Sequence, residues 1–414
     1  MKLKIPYGAK ELKIEIPDKN ILYLFNAAKN NHNSIDEEEI IKNALASPIG
    51  SDRLPRIAKG KNSAAILVSD ITRPTPSYKF LPFIVDELFK IDIEDIKIIF
   101  GLGIHRPHTD LEKRKLVGEY VASKAKLIDS DIKRCIHLGT TSRGTPVEVF
   151  REALNTDILI ATGNIEYHYF AGYSGGAKAL LPGICSKATV SANHSMMLEE
   201  GAVAGNYATN PVSLDIKEST TIANIDFMFN VIVDDKKSII AAVAGDINKA
   251  HLKGVKIYDD IYSLAAKKKA DLVITSPGGY PKDINLYQAQ KALDNVKEIV
   301  KEKGKIIFVA ECPEGYGEDT FKHWMKDATN YPLLKDRIKE KFVLGGHKAV
   351  VVSKMLDNFK IYLYSGFSKK ETESMGFKKV ENLKKIIDLN ISQDKNIKIT
   401  LVPSGRFVKF VDTD

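Results

Sequence analysis

The stretch AAILVSDITRPTP, residues 64–76, decides how the rest of the chain is read. Its apolar run is too short for a helix and reads as a buried strand. The polar residues Asp70, Thr72 and Arg73 follow at once, and Pro74 and Pro76 restrict the backbone around them. The same order of apolar run, turn signal and helical periodicity recurs in IKIIFGLG (96–103) before IHRPH and in DILIATGN (157–164) before IEYHYFAGYSGG. It returns in DLVITSPGG (271–279), KIIFVAEC (305–312) and FKIYLYSG (359–366). Alternation of this kind predicts an α/β fold with mainly parallel sheets flanked by helices. Ligands of such sheets collect beyond the carboxyl ends of the strands, so the polar residues after each run are the ones to interrogate.

At 414 residues the chain exceeds one ordinary core and divides most simply into two domains, with the active site expected in the cleft between them. The lysine-rich IYSLAAKKKA (261–270) reads as a helical separator, which gives an N-terminal domain over 1–260 and a C-terminal α/β domain over 261–414. The closing KITLVPSGRFVKFV (398–411) could return to the first domain. MKLKIPYGAKELKIEIP at the start alternates like a strand and lacks the apolar centre of a signal peptide.

The net charge of +8 is spread over the sequence, lysines interleaved with acids, rather than gathered in a basic stripe with aromatics. Nucleic-acid binding is therefore not expected. No apolar run approaches the roughly 20 residues that span a bilayer, which excludes a membrane helix. Cys135, Cys185 and Cys312 are too scattered for a CxxC metal pair or a disulfide framework. These features predict a cytoplasmic protein.

Arg73 can grip a carboxylate or phosphate through paired hydrogen bonds, and the same turn equally suits a structural Asp–Arg pair. His105, in GLGIHRPH, and His168, in NIEYHYFAG, can each exchange protons near neutral pH, and two such bases on opposite sides of a substrate would allow a stereocentre to be inverted. His108 competes with His105 for that role. The segment FAGYSGGAKALLPGICSKATVSANHSMM (170–197) places glycines beside Lys178 and a histidine, His194, sixteen residues on. It is not a phosphate loop of the Walker type, because Ala179 stands where the magnesium-binding Ser or Thr belongs. Lys178, between a glycine pair and ALLPG, suits a desolvated amine able to form a covalent bond, or a phosphate-neutralising one. His194 alone is too few ligands for a metal unless something other than protein completes the coordination. Tyr287, Gln288 and Lys291 open what reads as a long amphipathic helix in PKDINLYQAQKALDNV (281–296); Gln288 and Lys291 share a face and suit a substrate carboxylate, or simply an exposed helix surface.

DITRP, GLGIHRP, EYHYFAGYSGGAKALLPG, SANH and PKDINLYQAQK, in this order and spacing, resemble the nickel-pincer lactate racemase family over essentially the whole chain. The resemblance implies an isomerase interconverting D- and L-lactate through hydride transfer and a transient pyruvate. It implies nickel held by pyridinium-3,5-bisthiocarboxylic acid mononucleotide, covalently attached at Lys178, with His194 as the protein ligand. His105 and His168 match the catalytic pair; Asp70, Thr72, Arg73 and Tyr287 match cofactor contacts; Arg73, Gln288 and Lys291 match substrate contacts. Partners implied are the proteins that build the cofactor and insert nickel. Two alternatives stand: a racemase or epimerase of another 2-hydroxy acid (malate, longer acids or sugar acids) with the same cofactor, and, more remotely, a nucleotide-binding phosphotransferase.

Overall fold

The computed structural model describes residues 1–25, 36–103, 105–234, 236–405 and 409–411. The chain forms two compact units, one of Asn30–Ile261 and one that joins Met1–Lys29 to Tyr262–Asp414.

In the first unit a six-stranded sheet runs in the order Ile239–Gly245, Phe227–Val233, Ile158–Asn164, Ser63–Ser69, Asp95–Gly101, Lys126–Asp129. All neighbours are parallel except Ile239–Gly245, which runs antiparallel on Phe227–Val233. Alternate residues Ala64, Ile66 and Val68, with Ile96, Ile98 and Phe100 of the next strand, enter one core together with Phe80, Leu81, Ile84, Val85 and Leu88 of the helix Ser77–Phe89. Ala65, Leu67 and Ile99 are buried as well, which is why these strands read as unbroken apolar runs. After Ser63–Ser69 the chain adds strands on one side and then crosses to add Ile158–Asn164 on the other. The order therefore reverses between these two central strands, the position where open α/β sheets form a ligand crevice.

The second unit holds an all-parallel sheet in the order Lys378–Lys379, Lys360–Tyr364, Val300–Val309, Ala270–Thr275, Ile399–Val402, Ile21–Leu24. Val273, Ile306 and Phe308 face one core and Leu272, Ile274, Ile307 and Val309 the other, so both faces are covered.

The expected α/β class with two mainly parallel sheets holds. The expected cut near residue 260 meets the unit boundary at Ile261 and Tyr262, but the N-terminal residues fold with the C-terminal segment. Ile21–Leu24 pairs with Ile399–Val402 as an edge strand, and the buried Asp283 carboxylate accepts a hydrogen bond from Gly8 N–H at 2.7 Å. Ile399–Val402 thus remains in the C-terminal unit, and Lys409–Val411 pairs with Ser263–Ala265; residues 406–408 of that closing stretch lie outside the described residues. The supposed helical separator is instead the end of the helix Lys249–Tyr262 followed by that short strand. Strand pairing across more than 370 residues leaves no local trace in composition, which is why a linear cut misses it. No helix among the described residues is long and apolar enough to cross a membrane.

Candidate active site

Parallel register puts Ser69 beside Gly101, so the residues that follow each strand emerge next to one another. Asp70 is buried, and its carboxylate accepts from the Thr72 hydroxyl at 2.6 Å and the Thr72 N–H at 3.0 Å, closing an Asx turn that Pro74 stiffens. Its other oxygen bonds His105 Nδ1 in a close contact. Burial by itself would raise the Asp70 carboxyl; the hydrogen bonds from His105 and Thr72 and the charges of Arg73 and His105 overcome it and hold the group at about 2. An ionised carboxylate facing Nδ1 keeps the ring proton there, so His105 Nε2 carries the basic lone pair. The His105 side chain is 35% exposed, enough to meet a ligand.

His108 has a different task. Its Nδ1–H donates to Asp129 at 2.7 Å and its Nε2 accepts from Ile71 N–H at 3.2 Å. With its side chain 1% exposed and both nitrogens committed, it fastens the Asp70 turn to the neighbouring strand end. The two histidines that compete for one role thus differ in setting: His105 is partly exposed on a buried acid, whereas His108 is enclosed with both ring nitrogens bonded.

The Gly175–Gly176 loop lies at the end of Ile158–Asn164. Ser174 bridges it to that strand, donating from Oγ to Asn164 O at 2.8 Å while accepting from Glu166 N–H at 2.9 Å. Asn230 Oδ1, on the adjacent strand, accepts from Gly176 N–H at 2.6 Å, and His251 Nε2–H donates to Ser174 O at 2.9 Å. Burial pushes His251 down to about 4, so it stands neutral beneath the loop. Both glycines have positive φ, and a Cβ would fall 2.5 Å from Asn230 Oδ1 at Gly175 and 2.7 Å from the His251 ring at Gly176. No other residue fits this cradle. The short turn Gly176–Ala179 then presents Lys178, whose amine is pushed down to about 7 by burial and by the nearby Arg73 charge.

Phe170 is the common neighbour of the remaining groups. Its ring centroid lies 5.8 Å from Lys178 Nζ, 4.6 Å from the His168 ring and 4.9 Å from the His194 ring, edge-on to both imidazoles. His168 ends one strand of the hairpin Tyr167–His168 and Gly172–Tyr173, which is pinned because the Tyr167 and Tyr173 hydroxyls both donate to Asp259. Ala171 N–H donates to His168 Nδ1 at 3.2 Å, so a neutral His168 carries its proton on Nε2, the reverse of His105. His194 is buried near the end of the helix Lys187–Ser195, N-capped by Ser186, and its Nδ1 meets Asn193 Oδ1 at 3.0 Å. Among the described residues no group of three or more His, Cys, Asp or Glu side chains is disposed to hold a metal.

Asp70, Thr72, Arg73, His105, His168, Lys178 and His194 therefore gather within one unit at the switch between its central strands. Phe170, Asn230 and His251 belong to the same neighbourhood and were not singled out from sequence; Phe170 stood inside the quoted motif, whereas His251 offers no sequence signal. Tyr287, Gln288 and Lys291 belong to the other unit, on the helix Leu286–Asn295, ten residues long and N-capped by Asn285. Tyr287 is held there by the Phe321 ring at 5.6 Å and by Lys348 Nζ, 3.2 Å from its centroid.

Family profiles described as the lactate racemase N-terminal and C-terminal domains match residues 7–205 and 265–409. A lactate racemase of Thermoanaerobacterium thermosaccharolyticum is 33% identical over 97% of both chains. The chain belongs to the lactate racemase family. That of Lactiplantibacillus plantarum is 33% identical over 86% of this chain and 89% of its own length. The structure of the lactate racemase apoprotein from T. thermosaccharolyticum superposes with a TM-score of 0.93 at 32% identity and full coverage of both chains. Membership places the chain among isomerases that act as racemases, and fold and family agree over its whole length.

Proposed function

We propose that this racemase interconverts the enantiomers of lactate by hydride transfer, with a nickel-pincer nucleotide attached at Lys178 and His194 as the protein ligand to nickel. The observation that carries this reading is the convergence on Phe170 of a Lys178 amine that is half neutral near pH 7, the His194 ring and the His168 ring, beside the Asp70–His105 pair. The named residues suit the cofactor on three counts. Lys178 has a nucleophilic amine available for an acyl linkage. The Gly175–Gly176 loop, held by the Asn230 and His251 side chains packed against it, fixes the backbone that presents Lys178. Asn164 Nδ2, at the end of the central strand, is buried with no hydrogen-bond partner among the described residues, a donor left for a polar ligand group.

When bound, the cofactor supplies a hydride acceptor and donor, which lets the substrate pass through planar pyruvate without a carbanion beside a carboxylate. The protein handles the protons. His105 takes the hydroxyl proton at Nε2, with Asp70 stabilising the imidazolium that forms. His168 would be the proton donor to the keto oxygen on the other side, acting as an imidazolium because a neutral ring that gave up its Nε2 proton would be left as an imidazolate; for the other enantiomer the two roles would exchange. Arg73 orients the substrate and, with Asp70 and Thr72, the cofactor. Gln288 and Lys291 as a carboxylate grip and Tyr287 as a cofactor contact rest on the resemblance alone, as do partner proteins that assemble the cofactor and insert nickel. Another 2-hydroxy acid with the same chemistry is the second reading, since the residues above handle the common 2-hydroxycarboxylate core.

The test is intact mass, bound nickel and lactate racemisation on one sample of protein produced with the cofactor-making machinery. An adduct mapped to Lys178 with nickel and racemisation is expected. The adduct without lactate turnover transfers the assignment to other 2-hydroxy acids, and neither adduct nor nickel rejects the cofactor.

A further inference from the structure

His194 is followed inward by a buried chain of polar groups that the reaction itself does not use. Asn193, its neighbour in sequence, is fully buried, and so is Asp215 on the helix Pro211–Ile222. Asn193 Nδ2 donates to Asp215 Oδ2 at 2.8 Å and to Val212 O at 3.2 Å. The Thr141 and Thr145 hydroxyls, from the turn of the hairpin Cys135–Thr140 and Pro146–Phe150, donate to Asp215 Oδ1 at 2.5 Å and Oδ2 at 2.8 Å. A carboxylate and a carbonyl accept and never donate, so both must face the amide NH2 of Asn193. The amide orientation is thereby set, and its oxygen is the atom that meets His194 Nδ1 at 3.0 Å. An amide oxygen only accepts, so Nδ1 carries a proton, and in the neutral ring Nε2 is then the unprotonated nitrogen.

We infer that Asn193 and Asp215 are positioning residues that hold His194 in its Nδ1–H tautomer, the form whose Nε2 can ligate nickel. The functional part of this rests on His194 being the metal ligand, as proposed above; the tautomer follows from the hydrogen bonds alone. Two helices and a hairpin meet at Asp215, and its negative charge, relayed through the amide, favours the N–H donor at Nδ1 and raises the donor strength of Nε2. Histidine ligands elsewhere commonly meet a carboxylate directly. An intervening amide orients the ring without placing a charge against it.

The experiment is a two-bond proton–nitrogen correlation spectrum of protein carrying 15N-histidine and no cofactor, at about pH 8 where an ordinary imidazole is neutral. It is followed by nickel retention against a chelator in loaded protein. The expected wild-type result is a single His194 tautomer with the unprotonated nitrogen at Nε2. Asp215→Asn removes the charge and leaves one acceptor oxygen for three donors, and Asn193→Ala removes the amide; an Nε2–H population should appear in the first and grow in the second, with nickel affinity falling about 10- to 100-fold. An Nε2–H ring in the wild type overturns the inference without any variant having to fold, and so do two folded variants that keep the wild-type tautomer. A tautomer shift that leaves nickel affinity unchanged supports the relay and removes His194 from the metal.

Discussion

Acylation of Lys178 in cofactor-free protein should titrate with a midpoint near pH 7, because its amine is held at about 7 by burial and by Arg73. At pH 7 half of it is neutral, against less than one part in a thousand for an ordinary lysine, an advantage on the order of 1,000-fold in reactive amine. Lower basicity also lowers intrinsic nucleophilicity. With a Brønsted slope of the size known for thiols, about 0.4–0.5, the net rate advantage falls to roughly 10- to 100-fold. The assay is competitive labelling with isotopic acetic anhydride across pH 5–11, read peptide by peptide, with exposed lysines as internal standards. Poor access of the reagent would slow Lys178 without moving its midpoint. Arg73→Met should shift the midpoint upward, but by less than burial shifts it down, since burial is the larger cause. A midpoint above pH 10 would refute the desolvated-amine argument and with it the physical support for the proposed covalent attachment at this lysine.

Further outcomes follow from the same geometry. Because the folded Lys178 titrates below its unfolded value of 10.5, this side chain binds more protons in the unfolded chain between about pH 7 and 10.5, and its own contribution to stability should rise across that window. Lys178→Met should remove that contribution and stabilise cofactor-free protein at pH 7 by about 3 kcal/mol after allowance for partial exposure, as read by denaturant melts of variant against wild type. Asp70→Asn should cut turnover about 10²- to 10⁴-fold with a smaller change in KM, by releasing the His105 tautomer. Since the folded Asp70 sits at about 2, it contributes stability above the ordinary carboxylate range that disappears as pH falls through 2, and acid denaturation of this variant should be correspondingly shallower. His108→Ala should cost about 1–3 kcal/mol by leaving Asp129 and Ile71 N–H without that partner; a variant as stable as wild type would rule out the structural role. Gly176→Ala should destabilise by more than about 1 kcal/mol, given φ of +55° and the His251 ring 2.7 Å from the new methyl group, and should disturb the Lys178 labelling midpoint.

Much of the architecture was legible because its causes are local. Unbroken apolar runs such as AAILV followed by restricted turns specify buried parallel strands, and helices on both faces follow from the need to cover them. Several candidate residues were legible because they follow a strand, as Asp70, Thr72, Arg73 and His105 do, or sit beside a glycine pair, as Lys178 does, whereas His194, Tyr287, Gln288 and Lys291 lie on helices. The sequence by itself therefore determined the fold class and the family, and pointed to the strand ends as the candidate site. Tertiary structure alone decided that residues 1–29 fold with the C-terminal segment, and that His105 stands partly exposed on the buried Asp70 while His108 is enclosed against Asp129. It also decided where each imidazole keeps its proton, through Asp70, Ala171 N–H and the Asp215–Asn193 pair. These depend on hydrogen-bond partners and strand neighbours brought together from distant parts of the chain, and a partner's donor or acceptor character acts only at contact distance, which no periodicity or spacing along the chain encodes.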